Sequence, residues 1–106
     1  MKVVINTDWG GFGLDDSEIK KYSDLAGLSL EHKTDLEGYG EWQYPNGETF
    51  YDREIERTDA NLIALVESLD PAETILKVVS VPDDVDWYIS DHDGIEHVAE
   101  RHRTWS

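Results

Sequence analysis

The chain lacks cysteine altogether and carries only nine lysines and arginines among 106 residues. Without cysteine, neither disulfides nor thiolate metal sites contribute to stability or chemistry. Proline is confined to positions 45, 71 and 82. Apolar runs last a few residues, far short of the roughly 20 needed to span a bilayer. The opening Met1-Lys2-Val3-Val4-Ile5 passes at once into polar Asn6 and Thr7, so no signal peptide is expected. These absences point to a soluble intracellular domain.

What is abundant is negative charge. Asp and Glu number 24, giving a formal net charge of −15. Such a surface repels nucleic-acid backbones and anionic membranes and attracts cationic surfaces. Hydrophobic content of 39% with 10% aromatics is nevertheless too high for a disordered chain. The acidity has three readings. Many acids with only five lysines suit a halophilic cytoplasm. Carboxylates gathered on one face would imitate a phosphate backbone and occupy a nucleic-acid-binding protein. Ordinary solubility through like charge is the third.

Residues 2–7 read as a β-branched strand, broken by Trp9-Gly10-Gly11-Phe12-Gly13, where glycines favour unusual backbone angles. Asp15 and Glu18 form a capping-box pattern before Ile19, Tyr22 and Ala26, which predicts a helix over 15–26 stopped by Gly27. Leu62, Leu65, Val66 and Leu69 predict a second helix over 59–69, capped by Thr58 or Asp59 and ended by Asp70-Pro71. Residues 75–81 read as a buried strand. The stretch 28–57 is less regular; Asn46-Gly47 between aromatic arms signals a hairpin excursion at 40–52, with Pro45 holding its arm to an edge.

The C-terminal block reads as a hairpin, 86–92 and 95–100, around Asp93-Gly94. A two-residue turn pairs His92 with Ile95, Asp91 with Glu96, Ser90 with His97 and Ile89 with Val98. A helix over 95–102 also fits the spacing, but Asp-Gly between alternating arms is the stronger signal. The expected fold is a single α+β domain over 1–106. A small, mainly antiparallel sheet that includes this hairpin is covered on one face by two helices. Leu62, Leu65, Val66 and Leu69 should meet Val78, Ile89 and Val98 in its core.

The chemistry is sparse. Asp91 opposite Glu96 is a destabilising like-charge pair, suited to a divalent cation or an arginine unless both point to solvent. His92, His97 and His102 lack metalloprotease spacing. The glycine loop matches no phosphate-binding fingerprint, and Asp15, Asp16 and Glu18 beside it would repel phosphate. Glu100-Arg101-His102-Arg103-Thr104-Trp105 is the one basic spot, with residue types favoured at interfaces; its arginines otherwise neutralise the domain's own carboxylates while Trp105 anchors the chain end. The candidate binding set is therefore Asp83, Asp84, Asp86, Asp91, Asp93, Glu96, Arg101, Arg103 and Trp105. No catalytic group, cofactor or metal is assigned. A carboxylate-metal enzyme using Asp8, Asp91 and Glu96 ranks last among the readings.

Two terminal blocks, Val4-Ile5-Asn6-Thr7-Asp8-Trp9-Gly10-Gly11-Phe12-Gly13-Leu14 and the run from Ile89 to Trp105, resemble the start and end of a family of small tailed-phage and prophage proteins of uncharacterised activity. The stretch from Arg57-Thr58-Asp59-Ala60 to Glu67-Ser68-Leu69 is similar to that family's central helix. The chain departs where members often carry Cys-Tyr, at Asp8-Trp9, and where tyrosine is usual, at His92, so no thiol chemistry carries over. The resemblance implies a viral setting, in the host cytoplasm or the virion. The expected function is a non-enzymatic accessory protein that binds a basic protein partner, as in inhibition of a host nucleic-acid-binding or defence factor. A minor virion component is the alternative. Neither direct nucleic-acid binding nor membrane binding is expected.

Overall fold

The computed structural model describes residues 1–101. Its elements run β1 (Lys2–Asn6), α1 (Asp16–Ala26), β2 (Glu31–Thr34), β3 (Gly40–Gln43), α2 (Ala60–Ser68), β4 (Leu76–Ser80), β5 (Trp87–His92) and β6 (Ile95–Glu100), with a 3-10 turn at Asp52–Glu54 before α2. The α+β class holds. Among the described residues, the strands pair as three antiparallel ladders of two strands: β1 with β4, β2 with β3 and β5 with β6.

Both helices start where their side chains satisfy the first orphan amides. The Asp15 carboxylate accepts the Glu18 N–H at 2.8 Å, and Glu18 returns a carboxylate oxygen to the Asp15 N–H at 3.0 Å. The other Glu18 oxygen accepts the Thr74 hydroxyl at 2.9 Å, which is why a capping glutamate can be buried. Gly27 closes α1 in the left-handed region at φ 68°, a conformation that costs glycine least. Asp59, not Thr58, caps α2 by accepting from the Asn61 and Leu62 amides.

The core lies in two clusters on opposite faces of the β1–β4 ladder. Val4 and Leu76 face the helices and join Leu62, Leu65, Val66, Ile19, Tyr22, Phe12 and Phe50. Val3, Ile5 and Val81 face the other way and meet Trp87, Ile89 and Val98 of the β5–β6 hairpin. Alternation along a strand sends successive side chains to opposite faces, so one short ladder serves both. The expected single core of α2 against Val78, Ile89 and Val98 is thus divided. Val78 and Leu69 pack with the helices, whereas Ile89 and Val98 belong to the second cluster.

The C-terminal hairpin has the register expected of its Asp-Gly turn, with His92 opposite Ile95 and Ile89 opposite Val98. The middle of the chain holds the expected turn at Asn46-Gly47, with Gln43 bridged to Thr49, and one hairpin more. The arms of that hairpin are 31–34 and 40–43, and every residue of β2 is exposed, so no apolar alternation announced that strand. Asn46-Gly47 makes a second, tighter turn in which the Tyr44 amide donates to Glu48 O and the Phe50 amide to Trp42 O. Phe50 then returns to the main core, 6.0 Å from the Tyr22 ring. The 40–52 stretch is therefore packed into the fold through Phe50 rather than standing apart from it.

Candidate functional site

The expected binding residues do not form one cluster. Asp83, Asp84 and Asp86 lie in the turn leading into β5, at the open end of the hairpin. Asp83 takes the Met1 ammonium at 2.7 Å, a hydrogen bond that holds its carboxyl below the usual carboxylate range. Arg101 sits at the same end, 4.0 Å from Asp86 and over the Tyr88 ring at 5.5 Å. Asp91 and Asp93 belong to the opposite end. Asp91 accepts the Gly94 amide at 2.8 Å, and Asp93 occupies the turn at φ 54°. Six-residue strands separate the two ends by roughly 17 Å at about 3.3 Å per residue. Arg103 and Trp105, like His102, lie outside the described residues.

Glu96 behaves differently from every other member of that set. It is 4% exposed and closes a bidentate pair with Arg57, Nη1 to Oε1 at 2.5 Å and Nη2 to Oε2 at 2.8 Å. Its Oε1 also accepts the Asn6 amide at 2.8 Å. The like-charge conflict with Asp91 is relieved because Asp91 stays at the surface while an arginine neutralises Glu96. Of the three expectations for this pair, the arginine is the one realised at Glu96, and pointing to solvent holds for Asp91 but not for buried Glu96.

No motif marks Arg57 as the partner of Glu96, although the sequence holds a clue. It precedes the α2 N-cap by two residues, where the helix dipole disfavours a cation, so a partner elsewhere is implied. The structure supplies two. Besides Glu96, the guanidinium lies over Phe12, its Cζ 3.6 Å from the ring centroid. Arg57 also accepts the Val4 amide on its own carbonyl at 2.8 Å. Asn6, fully buried, donates through Nδ2 to Asp8 O and Gly94 O at 2.8 and 2.7 Å.

This centre fixes the glycine loop against the hairpin tip. A Cβ on Gly94 would stand 2.4 Å from Gly11 N and 2.7 Å from Gly10 N. Gly94 is thus the glycine that lets the two backbones approach, while Gly10 and Gly11 have open space where a Cβ would stand and serve through their positive φ of 101° and 84°, which is a structural role. Both Glu96 oxygens are engaged, Oε1 by Arg57 and the Asn6 amide and Oε2 by Arg57. Among the described residues, no group of three or more His, Asp or Glu is gathered to hold a metal ion.

The same centre has a consequence for the sheet. Met1 and Val81 exchange hydrogen bonds, and Thr7 donates to Ile75. Odd-numbered residues of both strands therefore point their backbone groups into the β1–β4 ladder, and Lys2, Val4, Asn6, Leu76, Val78 and Ser80 point theirs outward. On the β1 side, the Val4 amide meets Arg57 O and the Asn6 amide meets Glu96. On the β4 side, the backbone groups of Val78 and Ser80 have no partner among the described residues.

No described helix is long and apolar enough to cross a membrane. Compared with protein-family models, with curated proteins and with solved structures, the chain finds no match.

Proposed function

We propose that this chain is a non-enzymatic accessory protein that binds a basic protein partner, in the viral or prophage setting that its terminal blocks suggest. The observation that carries the reading is the state of its carboxylates. All but Glu18, Asp52, Asp59 and Glu96 are exposed, and they stand on both helices, on the hairpins and in the turns. Few are neutralised, since the described ion pairs at the surface involve only the Met1 ammonium, Lys2, Lys33 and Arg101. A net charge of −15 therefore remains largely on display, and it steers cationic surfaces toward the protein. The engagement of Glu96 by Arg57 supports a structural role for the best-buried carboxylate rather than a catalytic one.

The test is capture on immobilised protein from infected and uninfected host lysate at low and high salt. A specific basic, nucleic-acid-binding partner that is lost at high salt and on Asp84→Lys/Asp86→Lys is the expected result. Capture of a neutral or acidic partner whose binding ignores salt would contradict the reading. Capture of virion proteins alone, from infected cells, would reassign the chain to a structural role.

A further inference from the structure

We infer that the outer edge of β4 is a docking site for an extended segment of a cationic partner, which adds to the β1–β4 ladder as a third strand. The inference rests on the basic-partner reading for the partner's charge, and on the fold for the rest. A two-stranded ladder has two outer edges. One is covered at Val4 and Asn6 by Arg57 and Glu96. The other presents Val78 and Ser80 with both backbone groups unpaired among the described residues, the arrangement that accepts strand addition.

Apolar grooves flank this edge on both faces. One, of about 380 Å³, is lined by Leu76 and Val78 with Val66, Leu69 and Pro71. The other, of about 220 Å³, is lined by Val79 and Val81 with Pro82, Val85, Trp87 and Val98. Side chains of an added strand alternate between faces, so successive residues would enter the two grooves in turn. Backbone pairing supplies affinity and the grooves supply selection among side chains.

Charge identifies the occupant. Glu100 lines the second groove, and exposed Asp83 and Asp84 follow directly on that groove's Pro82; the first groove carries Glu67 beside Lys77. Glu67 and Asp83 hold surface pairs with Lys2 and the Met1 ammonium, so among the described residues the uncompensated charge of the rims is that of Glu100 and Asp84. Lysine or arginine on either side of a short apolar stretch suits these rims, with a polar residue near exposed Lys77. A second copy of the chain suits them poorly, because it would bring another −15 to the same surface.

The probe is the blocked peptide Lys-Lys-Val-Thr-Val-Val-Lys-Lys, titrated against the full chain with amide exchange followed residue by residue. Binding should slow exchange at Val78 and Ser80 by about tenfold or more, with smaller changes elsewhere. Strand addition uses every other amide of the peptide, so of two N-methylated peptides, one on odd and one on even amides, only one should lose affinity. Ser80→Pro removes one outward N–H at an edge position that tolerates proline; it should keep the melting temperature and lose peptide binding.

Absence of binding overturns the inference, as does binding that leaves Val78 and Ser80 exchanging as in the free protein. Slow exchange of those amides in the free protein, together with dimers in sedimentation, overturns it in favour of a second copy. The two proposals fail separately. If serine replaces all four peptide lysines without loss, the edge site stands and the basic partner does not. If a salt-sensitive basic partner binds Ser80→Pro like the unaltered protein, the basic partner stands and the edge site does not.

Discussion

At the scale of single residues, Glu96 shows how a sequence can propose the right conflict and leave its resolution open. A carboxylate opposite Asp91 on a hairpin is legible from register alone. That Arg57, 39 positions away, resolves it is not, because nothing local specifies which cation comes near. The pair is largely buried, so removing one partner leaves an uncompensated charge. Arg57→Met and Glu96→Leu should each destabilise the fold by about 3–5 kcal/mol. The double variant should recover part of that loss but not all, since the Asn6 amide would still lack its acceptor. Denaturant titration of the four proteins checks this, and additive single losses would show that the two side chains are not coupled.

Gly94 gives a second residue-level expectation. Its φ of +91° and its contact with the Gly10–Gly11 backbone leave no room for a side chain. Gly94→Ala should cost well over about 1 kcal/mol, while alanine at Gly47, also at positive φ but with open space around it, should cost less. Equal losses at the two sites would remove the hairpin-to-loop contact from the account.

At the scale of elements, legibility followed local chemistry. Both helices and the C-terminal hairpin carry their instructions within a few residues: Asp15 with Glu18, Asp59 ahead of Leu62, Asp93-Gly94 between alternating arms. The β2–β3 pair lacked any such signal, because β2 is exposed on both faces. The division of the core was also hidden. It depends on which side of β1 each neighbour packs, and alternation alone does not say whether a strand's second face meets solvent or another layer.

The helix pair also sets a pH dependence. Burial first, then the charge and hydrogen bond of Asp59, push the Tyr22 hydroxyl up to about 12. The folded state thus resists losing this proton while the unfolded chain releases it near its ordinary value of 10.0. The sign follows: the stability from neutral Tyr22 is fully present below pH about 10 and is lost as pH rises toward about 12. Denaturation at stepped alkaline pH should show this fall, and Tyr22→Phe should flatten it. A fall unchanged in Tyr22→Phe would place its origin elsewhere.

At the scale of the whole molecule, charge dominates. Composition alone made the acidity plain, but it could not tell a row of carboxylates on one face from a general coat. Exposed carboxylates stand on both helices, the hairpins and the turns, and that bears on stability as well as on partners. Self-repulsion of this size weakens the compact state, and salt screens it over about 10 Å at 0.1 M. The melting temperature should therefore rise from about 0.01 M to about 1 M sodium chloride. A flat or falling curve would show that local ion pairs outweigh the net charge.

The central claim is that the ladder at the heart of the fold is closed on its β1 edge and open on its β4 edge. Residue-resolved amide exchange of the free protein tests it most directly. Val4 and Asn6, whose amides meet Arg57 and Glu96, should exchange slowly, while Val78 and Ser80, on the outer side of the opposite strand, should exchange far faster. Equal protection of all four amides would contradict the claim and show that the β4 edge is already occupied.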